Sequence, residues 1–122
     1  MKHKWIEDYL MTKNGVTRDF KTEWQWHRFL IMDKMFAAIC VDKDGRNIIT
    51  LKSEPSLGLS LRNQYSCIRP GYYMNKSHWN SVDLNGVVPD EVLKEMINQS
   101  YQLVLSLLSK SVQKEILDRQ KI

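Results

Sequence analysis

The stretch Trp24–Lys52, WQWHRFLIMDKMFAAICVDKDGRNIITLK, alternates between apolar runs and short polar turns. The apolar runs are rich in aromatic and β-branched residues, which predicts strands at 24–31, 35–41 and 47–52. A turn at 32–34 and a loop at 42–46 that contains Asp-Gly join these strands. Because parallel neighbours would need longer crossovers, we predict an antiparallel meander.

Helices are predicted on both sides of this meander. Upstream, apolar residues at helical spacing predict a helix over 3–13 that stops at Asn14-Gly15. Downstream, Ser53-Glu54-Pro55 is typical of a helix start, and the apolar spacing continues to Tyr65. The long apolar stripe from Leu93 to Leu108 predicts a helix that begins near Pro89, and a short last helix follows at 112–117.

A further hairpin is predicted between the two downstream helices. Residues 67–74 are expected to be extended, 75–78 to turn, and 79–84 to return as a strand. The sequence therefore predicts one α+β domain over 1–122, an antiparallel sheet with helices packed against it and a long helix near the C-terminus.

Composition limits the classes of protein to which the chain can belong. It has 122 residues, 43% hydrophobic and 26% charged, which is typical of one soluble globular domain. The net charge of +4 permits a polyanionic partner without requiring one. Cys40 and Cys67 form no C-x-x-C pair, and charged residues interrupt the apolar character of the first residues. We therefore expect a cytoplasmic protein without a membrane span.

Sequence motifs of catalysis are absent from the chain. The histidines His3, His27 and His78 are far apart, and no G-x-S-x-G, H-E-x-x-H, P-loop or G-x-G-x-x-G is present. Both cysteines are more typical of packed thiols than of nucleophiles. We expect no enzyme, no cofactor and no metal site.

The middle of the chain combines positive charge with aromatic residues. No Asp or Glu occurs from Pro55 to Val82. Cations suit phosphates, amides suit base edges, and rings suit stacking, although aromatic residues in a hairpin more often form cross-strand or core pairs. The candidate residues are the cations Arg62, Arg69 and Lys76, the histidine His78, which can become cationic, the amides Asn75 and Asn80, and the aromatic residues Tyr72, Tyr73 and Trp79.

The run RPGYYMNKSHWNSV over 69–82 resembles the signature of the MmcQ/YjbR family. Four shorter segments match the family in order and spacing, namely KMFA at 34–37, LK at 51–52, VPDE at 88–91 and SY at 100–101. The resemblance implies a CyaY-like, double-wing α+β fold and DNA binding, and it implies no catalytic residue.

The favoured hypothesis is a monomer that binds double-stranded DNA through the hairpin 69–80. In this hypothesis Arg69 and Lys76 contact phosphates, Asn75 and His78 donate or accept hydrogen bonds, and Arg62 extends the basic surface. The alternative is a small-molecule or protein interaction module that uses the cluster Tyr72, Tyr73 and Trp79. A frataxin-like metal role is disfavoured, because Glu7 and Asp8 are too few to form an acidic ridge on the first helix.

Overall fold

A computed structural model describes residues 5–118 of the chain. Within this part, six strands form one sheet in the order β1-β2-β3-β4-β6-β5, and all adjacent strands are antiparallel. The strands are β1 (Val16–Lys21), β2 (Trp26–Ile31), β3 (Lys34–Val41), β4 (Asn47–Lys52), β5 (Ile68–Pro70) and β6 (Trp79–Asp83). The helices are α1 (Trp5–Met11), α2 (Pro55–Gln64), α3 (Asp90–Leu105) and α4 (Lys110–Asp118). The predicted α+β architecture and antiparallel meander are confirmed.

The first hairpin differs from the prediction. Strand β1 was not predicted, and its residues VTRDFK are mostly polar and exposed. The strand predicted at 24–31 begins only at Trp26, because residues 22–25 form the turn from β1 to β2. In that turn Gln25 has a positive φ of 55°, which interrupts extended backbone. Part of the helix predicted at 3–13 lies outside the described residues, as does His3, and the described helix ends at Met11.

The two faces of the sheet are covered differently. All four helices contribute to the main apolar core on one face, which we call the helix face; its members include Ile6, Leu61, Ile97 and Ile116. The opposite face, which we call the loop face, carries a smaller buried cluster. That cluster consists of Trp26, Ala38, Cys40 and Ile48, with Met35, Tyr72 and Met74 packed against it.

The loop at 71–78, between β5 and β6, packs against the loop face. The backbone N–H of Tyr72 donates to Ser81 Oγ at 2.9 Å, and Lys76 Nζ donates to the carbonyl of Gly71 at 2.9 Å. Asn75 Oδ1 accepts from the backbone N–H groups of Ser77 and His78 at 2.9 and 3.2 Å. These bonds hold the loop in a defined conformation over the smaller cluster.

Candidate functional site

The two predicted arginines lie on opposite faces of the sheet. Arg62, on α2, donates from Nη1 to Asn80 Oδ1 at 2.6 Å. Arg69 lies opposite Ser81 in the β5–β6 register, and Ser81 bonds Thr50 on the loop face at 2.7 Å. Because opposite residues of an antiparallel pair share a face, Arg69 belongs to the loop face. The prediction that these cations form one basic surface is therefore wrong.

Asn80 is a structural residue rather than a surface contact. Its side chain is fully buried, and its Nδ2 donates to the carbonyl of Gly58 at 3.2 Å. Its Oδ1 accepts from Arg62. Since the amide has partners at both ends and no exposed atom, the prediction that it binds nucleic acid is wrong. The same bond occupies one donor of Arg62.

The exposed Arg69 lines a small cavity whose charged residues are of both signs. This cavity, of about 170 Å³, is also lined by the acids Asp42, Asp44 and Asp83 and by the cations Lys43 and Arg46. All three carboxylates lie within 4.0 Å of the Arg46 guanidinium, at 3.5, 3.2 and 4.0 Å. These three acids lie outside the acid-free window in the sequence, but in the folded chain they line the same cavity as Arg69, which belongs to the window. The local charge around Arg69 is therefore mixed rather than basic.

Three predicted residues do come together at the tip of the 71–78 loop. Asn75, Lys76 and His78 are all exposed. Lys76 uses one donor on Gly71 and keeps two for other partners. Asn75 uses its oxygen within the turn, so its NH₂ group remains available.

The predicted aromatic cluster is divided. The rings of Tyr72 and Tyr73 pack edge to face with centroids 4.5 Å apart. Trp79 instead lies beside Lys52, whose Nζ is 5.9 Å from its ring centroid. The two tyrosines therefore belong to one site and Trp79 to another part of the loop face.

Two tryptophans that sequence reasoning did not select complete this site. The rings of Trp24 and Trp26 pack with centroids 5.3 Å apart. Together with the two tyrosines they line a cleft of about 500 Å³. We call this the aromatic cleft, and its lining residues are Glu23, Trp24, Trp26, Val41, Tyr72, Tyr73 and Met74. The W-x-W spacing at 24–26 is the sequence signal of this site. It is equally typical of a regular strand, in which both rings would lie on the same face of the sheet.

Left-handed backbone positions lie on both sides of the aromatic cleft. Gln25, between the two tryptophans, has φ 55°, and Tyr73 has φ 56°. This conformation is unfavourable for a residue with a Cβ. Trp24 and Tyr73 are 55% and 80% exposed, whereas Trp26 is buried. The cleft therefore has a buried floor and an exposed aromatic rim.

Within residues 5–118, the aromatic cleft has one charged lining residue, the Glu23 carboxylate, which is paired with Lys21 at 3.3 Å. Among the described residues that line it, Glu23 is the only acid and none is Lys or Arg. Burial, followed by the neighbouring Tyr73, raises the pKa of the Tyr72 phenol above its usual value. Beneath the cleft, burial and then the charge of Asp42 raise the pKa of Cys40 to about 11. Tyr72 and Cys40 are thus uncharged near pH 7, and Cys40 is a poor nucleophile.

Residues 5–118 contain neither a cluster of metal ligands nor a helix that could span a membrane. No group of three or more His, Cys, Asp and Glu side chains is placed to hold a metal ion. No helix in this part combines the length and apolar character that crossing a membrane requires.

The chain is similar to proteins of known sequence and structure. The family model YjbR matches residues 11–103. The uncharacterised protein YjbR of Escherichia coli strain K12 is 32% identical over 106 residues, covering 87% of this chain and 89% of that protein. A crystal structure of Deinococcus radiodurans protein DR2400, with the domain DUF419, has a TM-score of 0.81 at 30% identity, covering 91% and 84% of the two chains. A Pseudomonas syringae crystal structure has a TM-score of 0.73 at 29% identity, covering 85% and 99%.

Proposed function

The chain belongs to the YjbR family, and from this membership and the geometry above we propose that it is a non-enzymatic binding protein whose ligand site is the aromatic cleft. The observation that carries the proposal is the meeting of two aromatic pairs from distant segments around one cleft. Small-molecule sites are typically concave, largely apolar and about 300–1,000 Å³ in volume, with few polar groups.

The exposed rim supports a binding role over a purely structural one. A ring that served only the core would gain most from complete burial, yet Trp24 and Tyr73 are 55% and 80% exposed. Unfavourable backbone at functional sites is a recurrent observation, and two such positions, Gln25 and Tyr73, adjoin this rim. A ligand in the cleft would remove both rings from water.

We also propose that the protein is cytoplasmic, because its cysteines are unpaired. Cys40 and Cys67 are both free and buried thiols. Unpaired cysteines are typical of reducing compartments.

The test is a titration with benzyl alcohol, a neutral aromatic probe, followed by the NMR signals of the indole N–H groups. We expect the signals of Trp24 and Trp26 to shift together and to saturate. The variant Trp24→Ala should weaken binding by about 3- to 10-fold, the value of one aromatic contact. Phe20→Ala is the matched control, because Phe20 is 48% exposed, packs at a tilted angle against His27 and does not line the cleft. Absence of any shift, or equal weakening by both variants, would contradict the proposal.

DNA is the second candidate partner, and the exposed tip of the 71–78 loop is the observation that favours it. Lys76, His78 and the NH₂ group of Asn75 are accessible together there, in a sequence window without carboxylates. Two phosphate contacts at this tip would give weak binding with a log–log salt slope of roughly −2.

This second candidate is tested by titrating a labelled duplex at two salt concentrations. Lys76→Ala should weaken binding and flatten the salt slope by about 1. Lys114→Ala, an exposed lysine on α4, should leave the binding close to that of the wild type. Equal behaviour of the two variants would exclude the loop tip as the contact.

A further inference from the structure

We infer that the aromatic cleft selects a cationic ligand, a quaternary or methylated ammonium group, with Glu23 as its counter-charge. This inference rests on the proposed function, because it concerns the same cleft. It adds the chemical class of the ligand and the residue that sets the charge preference.

The first argument is the combination of rings and charge. The face of an aromatic ring carries negative electrostatic potential and attracts cations, most strongly for tryptophan. The cleft presents two indoles and two phenols, and the single ionised group among its described lining residues is the Glu23 carboxylate. A cationic ligand would compete with Lys21 for this carboxylate, whereas a neutral ligand would gain nothing from it.

The second argument is that the protein already holds an ammonium group at this edge of the cleft. Lys21 Nζ lies 3.3 Å from Glu23 Oε2 and 5.3 Å from the ring centroid of Trp24. The chain's own side chain therefore makes both contacts that we assign to the ligand. Glu23 remains largely exposed despite this pair, so it is accessible to an external cation.

The position of Lys21 also indicates why a methylated ammonium is preferred. A primary ammonium is a compact, strongly hydrated charge, and the Lys21 side chain remains 38% exposed beside Trp24. Methyl groups lower this hydration and add apolar surface that the rings can cover. Such a ligand can enter the cleft, and Lys21 acts as an internal competitor for Glu23.

The experiment compares choline chloride with 3,3-dimethylbutan-1-ol, which has the same shape without the charge. Binding is followed by the indole N–H signals of Trp24 and Trp26 at constant ionic strength. We expect choline to bind about threefold more tightly or better, which is the usual range of an exposed cation–π contact.

Variants separate the contribution of charge from that of shape. Glu23→Gln should remove most of the choline preference, whereas Lys21→Met should tighten choline by about two- to fivefold because the competing ammonium is gone. For both variants the quantity compared is the ratio of the choline affinity to the alcohol affinity, because the alcohol carries no charge on which Glu23 or Lys21 could act. Glu91→Gln, an exposed carboxylate at the start of α3, is the matched control and should leave both affinities unchanged.

The outcomes distinguish the two proposals. If the alcohol binds as tightly as choline in the wild type and in Lys21→Met, the charge inference is overturned while the aromatic cleft remains a binding site. If neither compound nor benzyl alcohol shifts the indole signals, the proposed function itself is overturned. A choline preference that Glu23→Gln does not reduce would overturn the role of Glu23.

Discussion

Truncating Asn80 to alanine is expected to lower the free energy of unfolding by about 3 kcal/mol. Its amide accepts a 2.6 Å hydrogen bond from the Arg62 guanidinium and donates one of 3.2 Å to the carbonyl of Gly58. A hydrogen bond to a charged group contributes about 1.5–3 kcal/mol, and a neutral one about 1 kcal/mol. Because Asn80 is fully buried, water cannot replace either bond without entering the packed helix face.

Urea unfolding followed by tryptophan fluorescence measures this loss. With an m-value of about 1.5 kcal/mol per M, a loss of 3 kcal/mol lowers the midpoint by about 2 M. Arg62→Ala removes the same charged bond from its other end, so the double variant should lose less than the sum of the single losses. Asn63→Ala is the control, because Asn63 is exposed on the same helix and should change stability by no more than about 0.5 kcal/mol.

The result also separates the two roles considered for Asn80. A loss below about 1 kcal/mol would refute the argument that it links α2 to β6. A drop in duplex affinity at unchanged stability would return Asn80 to the nucleic-acid interface. A large loss of stability, with residual DNA binding of the folded protein unchanged, is the outcome that the buried geometry requires.

Two further variants and one labelling experiment test other parts of the fold. Gly58→Ala should lower the free energy of unfolding by about 1–3 kcal/mol in urea despite alanine's helix propensity, because its Cβ would lie 2.6 Å from Ser53 Oγ; a gain in stability would disprove that contact. The double variant Met32→Asn, Asp33→Gly should raise stability by about 1 kcal/mol, because both residues of this turn have positive φ, and a lower thermal midpoint would contradict this. Cys40, whose pKa is raised to about 11, stays protonated below that pH, so iodoacetamide at pH 8 should label it only after unfolding; mass spectrometry that found rapid labelling of the native protein would refute its burial.

The sequence predicted the meander well because its turns carry local signals. The two-residue turn before β3 and the loop with Asp-Gly before β4 are recognisable within a few residues. Strand β1 has no such signal. Its residues Val16–Lys21 are mostly polar, and all of them lie at exposed or half-buried positions at the sheet edge. It is held by backbone pairing with β2, and backbone pairing leaves little trace in a polar sequence.

The candidate site was predicted in part. Tyr72 and Tyr73 were selected from their own segment, but Trp24 and Trp26 reach them only through the folded sheet. The left-handed Gln25 between the tryptophans changes where their rings point, and single-sequence patterns do not reveal such a residue. Residues that meet across a fold are therefore the part that local pattern analysis misses.

The acid-free window illustrates why linear charge is a weak guide to surface charge in a sheet. Antiparallel pairing and the adjoining loops bring Asp42 and Asp83 into the cavity that Arg69 lines, although both lie outside the window. Because side chains alternate along β6, Asn80 lies on the helix face, where its Oδ1 accepts a hydrogen bond from Arg62. The basic residues of the window are thus reduced to a loop tip with Lys76 and His78 and to one arginine in a cavity of mixed charge. A polyanion would have to bind at that tip, whereas the neighbouring cleft, with its one carboxylate, favours ligands of the opposite charge.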